Sequence, residues 1–392
     1  MADAVIVDAI RTPMGRGKPG GQLSDVHPVD LLAGILTALV DRNKIDPAEI
    51  DDVLIGCVSQ VGEQSSTPGR MALLAAGFPA HVPSTTIDRK CGSSQQAVHF
   101  AAQGIASGAY DIVIAGGVES MSRVPMGSAR MGADPFGAMV AARYAPGLVS
   151  QGVAAELVAA QWAIDRAAMD EYSVRSHYRA AQASAIGGLD AEIIPVTTPA
   201  GVVSRDETIR GASSLESLSA LKPVFGTAAM AERFSTIDWS VTAGNSSQIT
   251  DGASALLMMS ERTATRLGVR PRARFVGFDV VGDDPLLMLT APIPATRRVL
   301  KKAGLSIGEI DHFEVNEAFA SVPLAWSKEL EVDPSKLNPR GGAIAFGHPL
   351  GASGTRLMTT MLNALEQTGG RYGLQTMCEA GGMANATIIE RV

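Results

Sequence analysis

The sequence predicts an α/β protein of two similar halves with an irregular segment inserted in the first. Three observations carry this. Apolar runs such as "DDVLIGCV" (51–58), "DIVIAGG" (111–117), "DHFEVNEAF" (311–319) and "ATIIERV" (386–392) alternate with Ala-rich helical stretches, as in buried sheets covered by helices. "AEIDDVLIGCV" (48–58) matches "GEIDHFEVNEA" (308–318), with Glu-Ile-Asp aligned. The segment between them, 120–245, is rich in Met, Arg, Ser and Gly, and its irregular stretches exceed ordinary connections.

The elements follow in order. "MADAVIVDAIRTP", with Asp3 and Asp8, reads as a first strand and not a signal peptide, and "LLAGILTALV" (31–40) as a helix half the length of a membrane span. After Cys91 come "GSS", an Ala-rich helix and "DIVIAGG"; after His348 come "LGASG", a helix over 354–366 and "LQTMCEAGG". Asp51 precedes Cys91 by 40 residues and Asp311 precedes His348 by 37. Matches in one order suggest an internal duplication of roughly 110–120 residues. A helix is expected over 170–188, ended by Gly187-Gly188. The expected units are 1–119 plus 246–270, the insert 120–245, and 271–392.

Bulk properties narrow the function. With 392 residues, 46% apolar and 19% charged, the chain is globular. A net charge of −7 argues against a nucleic-acid protein. Three cysteines, Cys57, Cys91 and Cys378, suggest neither a disulfide framework nor a metal cluster, and make a reducing cytoplasm the expected location.

Four stretches carry candidate chemistry. In "TTIDRKCGSSQQAVHFAAQGIASG" (85–108), Ala97, Ala101 and Ile105 recur at helical spacing, so Cys91 sits at a strand-to-helix elbow. The helix dipole there favours the thiolate, the nucleophilic form. Cys57, mid-strand in an apolar run, reads as a buried structural residue. In "NPRGGAIAFGHPLGASG" (338–354), Pro349 biases His348 toward an extended backbone while Gly347, Gly351 and Gly354 permit close approach. Such a loop can aim a neutral imidazole at Cys91 to take its proton. His27, His81, His99, His177 and His312 lie in ordinary contexts. Cys378, in "MCEAGGMANATIIE" (377–390), reads as an acid/base or as a disulfide partner, the latter weakened by the lack of Cys-x-x-Cys spacing. Asn316, in "VNEAFA" (315–320), needs a hydrogen-bond partner, which a water or His348 would supply.

Over the whole chain these stretches, with "TAGNSSQITDGASALL" (242–257), resemble the thiolase family of CoA-dependent acyltransferases, acetyl-CoA C-acyltransferases and acetyl-CoA acetyltransferases. The resemblance implies the thiolase fold: two duplicated α/β halves in a five-layered αβαβα sandwich with an inserted lid. It implies that Cys91 is acylated, that His348 activates it, that Asn316 positions a water and that Cys378 is the acid/base. The backbone N–H groups of Cys91 and Ala380 would form an oxyanion hole, and Lys222, Ala243, Ser247, Met288 and Phe319 would contact CoA. CoA enters as a substrate, with no resident cofactor or metal, and the partners are CoA and acyl-CoA in a homodimer or homotetramer.

The chain departs from the family in places. Ala380 and Ala384 replace glycines, Glu379 is unusual beside them, and Ser150-Gln151 stands where many short-chain members have His-Met. Leu289 and Ala291 stand where glycines are frequent near Met288, and 226–240 is longer than usual. These changes imply a 3-ketoacyl-CoA bulkier than acetoacetyl-CoA, branched or steroid-derived, cleaved in β-oxidation. The alternatives are a short-chain biosynthetic thiolase, a ketoacyl-synthase-like condensing enzyme and an inert thiolase-like lipid-binding protein.

Overall fold

The computed structural model describes residues 4–392, so the expectation placed on Asp3 lies outside the described residues. The chain opens with β1 (Ala4–Arg11), β2 (Gly15–Arg16), α1 (Pro28–Asn43), β3 (Asp52–Gly56), α2 (Pro68–Ala75), β4 (Ser84–Ile87), α3 (Ser93–Ser107) and β5 (Ile112–Ser120). Residues 121–249 hold α4 (Gly137–Arg143), α5 (Gln151–Gln161), α6 (Arg166–Ala185), β6 (Val196–Thr198), β7 (Gly201–Val203), α7 (Leu215–Ser219) and α8 (Ala228–Arg233). Then come β8 (Thr250–Ser260), α9 (Glu261–Leu267), β9 (Ala273–Gly282), α10 (Pro292–Ala303), β10 (His312–Val315), α11 (Ser321–Leu330), α12 (Ala343–Phe346), α13 (Ser353–Thr368), β11 (Tyr372–Glu379) and β12 (Met383–Arg391).

The strands run in the order β10-β11-β12-β9-β1-β8-β5-β3-β4. The order is nearly symmetric about its middle. On one side β4, β3 and β5 are parallel and β8 and β1 antiparallel; on the other β10 and β11 are parallel and β12 and β9 antiparallel. A parallel bridge from Phe313 to Leu337 takes the place of β4. The strands of the two halves pair through β1 and β9, at Val5↔Arg274 and Ile6↔Ala273.

Strand side chains alternate between faces, and the core divides accordingly. From β8, Ala253, Ala255, Leu257 and Met259 pack with the leucines of α1 and with Leu73 of α2. Leu256 and Met258 face the other way, into a cluster with Ala97, Ala101 and Ile105 of α3, Met358 and Leu362 of α13, and Ile389 of β12. Ala384, Ala386 and Ile388 of β12 pack instead with Val299 of α10 and Trp326 of α11. The layers are therefore α1/α2, sheet, α3/α13, sheet, α10/α11, the five expected. No helix among the described residues is long and apolar enough to cross a membrane.

Two local expectations need correction. Cys57 is not within its strand: it follows Gly56, the last residue of β3. The helix expected over 170–188 begins earlier, because the Asp165 side chain caps it by accepting from Ala168 N at 2.8 Å. It stops before Gly187, whose φ of +72° ends the helical path.

The central pair α3/α13 leaves no room for side chains where the helices begin. A Cβ added to Gly354 would lie 2.2 Å from Gln95 N. Gly354→Ala should therefore destabilise the fold by about 1–3 kcal/mol in urea unfolding. Gly34→Ala, in α1 where nothing lies within 4 Å of the added carbon, should stabilise it by about 0.5–1 kcal/mol.

Candidate active site

Cys91 lies in the loop between β4 and α3 and is 3% exposed. Ser93 fixes the loop: its Oγ donates to Lys90 O at 2.5 Å and accepts from Arg89 N at 2.9 Å. Gly92 is the N-cap of α3. The helix end was expected to favour a thiolate, but burial wins and pushes the Cys91 thiol up to about 12, with Glu379 adding to the rise. A hydrogen bond from the Gln151 side chain and the charge of Lys90 pull the other way. A dipole worth about 1 kcal/mol cannot offset the removal of water from an anion, so the resting group is a thiol. Cys378, near the end of β11, is raised well above its ordinary value by burial and by the neighbouring Cys91 and Glu379, not poised near working pH. Burial also pushes the Cys57 thiol far up, in keeping with a structural residue.

His348 follows α12. Gly347 has φ +89°, and a Cβ there would lie 1.9 Å from Thr250 Oγ1, so the turn requires glycine. His348 N donates to Gln248 O at 3.0 Å and to Thr250 Oγ1 at 3.1 Å. Ser353 Oγ donates to Pro349 O at 2.9 Å and lies 2.6 Å from His348 Nδ1. With its proton so committed, the hydroxyl accepts from Nδ1–H, which leaves Nε2 as the free acceptor. Asn316 Nδ2 lies 3.4 Å from Nε2, while Asn316 Oδ1 has no partner. Burial, then the charge of Arg356, holds the His348 imidazole down at about 3. The ring is neutral at pH 7, as a proton acceptor must be.

The two loops meet backbone to backbone. A Cβ on Gly56 would lie 2.4 Å from Ser94 N and 2.7 Å from Gly351 O; one on Gly117 would lie 2.0 Å from Gly351 O. Thr355 N donates to Ser94 Oγ at 3.1 Å. The buried carboxylate of Glu119 accepts from Gly351 N at 2.9 Å and from Val58 N, Ser59 N and Gln64 Nε2 at 2.9–3.0 Å. Cys91 and His348 are not hydrogen-bonded to each other: the Gln151 side chain favours the Cys91 thiolate, and the ring lies against Ser353 and Asn316. Ala380 opens the turn to β12, with Gly381 at φ +97° and Gly382 at φ +79°.

The residues expected around CoA gather only in part. Ser247 N donates to Ala318 O at 3.0 Å, and Ser246 bridges to Phe319. Phe319 packs edge-on against Phe225 at 6.1 Å. Lys222 and Ala243 are exposed, and their neighbours touch, since a Cβ on Gly244 would lie 2.6 Å from Leu221 Cδ1. Met288 is buried with φ +55°. Glu119, Gln151 and Ser353 escaped the sequence reading as site residues. Only Gln151 carried a signal, as part of the Ser150-Gln151 departure.

Three of the buried histidines weaken the fold in acid. Burial lowers His348 and His99 to about 3 and His177 to about 4. Each is depressed below the unfolded value of about 6.5, so the unfolded chain binds the extra protons. Stability should be full above about pH 6.5 and fall toward pH 3–4. Thermal melts across this range read the effect, and His99→Gln should flatten the slope.

Against known proteins, the family model for the thiolase N-terminal domain matches residues 4–262, and that for the thiolase C-terminal domain matches 269–391. The chain is 48% identical over 400 residues to the steroid 3-ketoacyl-CoA thiolase FadA6 of Mycobacterium tuberculosis, covering all of this chain and 95% of that protein. It is 45% identical over 401 residues to the 3-ketoacyl-CoA thiolase of Serratia proteamaculans, covering both in full. The crystal structure of the Bacillus anthracis acetyl-CoA acetyltransferase matches with a TM-score of 0.89 at 36% identity, over 100% of this chain and 99% of that one. With both halves matched and full-length relatives at this identity, the chain belongs to the thiolase family.

Proposed function

We propose that the protein is a 3-ketoacyl-CoA thiolase, cleaving its substrate with CoA to acetyl-CoA and a shortened acyl-CoA through an acyl-Cys91 intermediate. The observation that carries the reading is the meeting of two helix starts, one bearing Cys91 and the other His348, with Asn316 at His348 Nε2 and Cys378 beside Cys91.

The chemistry follows from the resting charges. Cys91 keeps its proton until attack, so sulfur–carbon bond formation at the C3 ketone is coupled to proton transfer to His348 Nε2. Negative charge then builds on the ketone oxygen and not on sulfur. The Cys91 and Ala380 N–H groups are assigned to that oxygen, each such donor worth about 3–4 kcal/mol. Asn316 with a water, and His348, serve the thioester oxygen. Breaking the C2–C3 bond releases the acetyl-CoA enolate, which takes its proton from Cys378. The thiol of incoming CoA passes its proton to Cys378 as its sulfur takes the acyl group, and His348 returns its proton to the departing Cys91 sulfur. The reverse direction is a Claisen condensation. Each step moves a proton or an acyl group, so the reaction calls for no metal or redox cofactor.

CoA is assigned to Lys222, Ala243, Ser247, Met288 and Phe319. The acyl group is assigned to a bulky 3-ketoacyl chain of lipid or steroid side-chain degradation. Support comes from the names of the relatives at 45–48% identity and from Gln151, which replaces the short-chain pattern and bonds Cys91. A biosynthetic acetyl-CoA acetyltransferase is less favoured, since that neighbour is 36% identical. The assembly is assigned as a homodimer or homotetramer, working in the cytoplasm.

Acetyl-CoA should acetylate one cysteine per chain, read by intact mass, and Cys91→Ala should abolish both the adduct and turnover; normal turnover in that variant overturns the reading. In a thiolysis panel, long or ring-bearing 3-ketoacyl-CoA should exceed acetoacetyl-CoA in kcat/KM. Ser353→Ala, which frees His348 Nδ1, should lower kcat about tenfold with little change in KM.

A further inference from the structure

β11 carries an ionisable side chain that the proposed reaction does not use. Glu379 is fully buried. It follows Cys378 on the strand and points to the opposite face, toward the start of α3. A Cβ added to Gly92 would lie 1.8 Å from Glu379 Oε1 and 3.1 Å from Asn385 Oδ1. The carboxyl group therefore rests on the bare backbone of the residue that follows Cys91. Neither of its oxygens has a hydrogen-bond partner of standard geometry, and the backbone N–H of Asn385 is near enough only to favour the ionised form against burial.

A carboxylate without partners in a dry interior is costly, so the group keeps its proton. Burial raises it to about 8, against the opposing charge of Arg89 in the loop before Cys91. The ionisable groups that interact with it are Arg89 from that loop and the Cys91 and Cys378 thiols, while Lys90 acts on Cys91 and His99, farther along α3, lies against Asn385. The influence runs back to the nucleophile: after burial, Glu379 is the largest factor raising the Cys91 thiol, and it raises Cys378 as well.

We propose that Glu379 is a positioning residue for the nucleophile: while protonated it leaves Cys91 free to give up its proton, and once ionised it holds that proton in place. The proton Glu379 loses goes to solvent base, and Glu379 forms no bond to substrate. In thiolysis this predicts an alkaline fall in kcat/KM set by Glu379. The inference rests on Cys91 as the acylated residue, yet its test does not need turnover.

The test is alkylation of the intact protein by iodoacetamide, with rates mapped by peptide mass to Cys91 separately from Cys57 and Cys378. The rate ratio of Glu379→Gln to wild type at Cys91 should be near one at about pH 6.5 and rise to about tenfold at about pH 9. A purely structural role would change the rate by the same factor at every pH, so a flat ratio, or one below unity throughout, overturns the proposal. Should the Gln variant melt early, Glu379→Ala removes the same charge and must give the same rising ratio. Acetylation by acetyl-CoA, followed in parallel, separates the two readings. Failure of wild-type Cys91 to acetylate rejects the thiolase assignment, whereas a flat alkylation ratio with normal acetylation rejects only the role of Glu379.

Discussion

The site depends on one packing constraint: two helices from different halves begin against each other at backbone distance. Gly56, Gly117, Gly351 and Gly354 make this possible, because a methyl group at any of them would overlap backbone atoms of the other half. Glu119 then ties the seam, taking N–H groups from Val58, Ser59 and Gly351 on one carboxylate. Cys91 and His348 sit at the mouths of these two turns, so each half supplies one of the side chains proposed to react. The geometry is set by main chain and not by flexible side chains, which keeps reactive groups within the fraction of an ångström that transfer chemistry requires.

The second constraint is dryness. Burial raises both active-site thiols and lowers the imidazole, so the unliganded site holds its groups neutral. A neutral thiol and a neutral imidazole cost little to bury, whereas an ion pair would need desolvation repaid in full. In the proposed reaction charge is therefore deferred to the step in which the substrate oxygen carries it. The same dryness makes a single buried carboxyl beside Gly92 consequential, since little water screens it from Cys91.

These two constraints work together. Gln151, at the start of α5, favours the Cys91 thiolate against burial. Ser353, in the first turn of α13, fixes the imidazole tautomer. Neither residue is assigned a reactive role; Ser353 decides which ring nitrogen keeps the proton, and Gln151 eases the loss of the thiol proton.

Much of this was legible in the chain. The alternation of apolar runs and Ala-rich stretches determined the α/β class, the Glu-Ile-Asp match exposed the duplication, and the glycines flanking His348 marked a turn of special geometry. These are local properties: residue type, spacing and backbone freedom are written in order along the sequence. The protonation states were not legible. A helix start suggested a thiolate at Cys91, but a pKa reflects everything packed around a group, and only the folded chain brings Glu379, Cys378 and the dry core to it. Glu119 and Ser353 were hidden for the same reason, since a carboxylate that bonds N–H groups 60 and 232 residues away has no signature in its own neighbourhood. The sequence by itself determined which turns are possible, and the tertiary structure decided which two of them meet and how dry the place between them is.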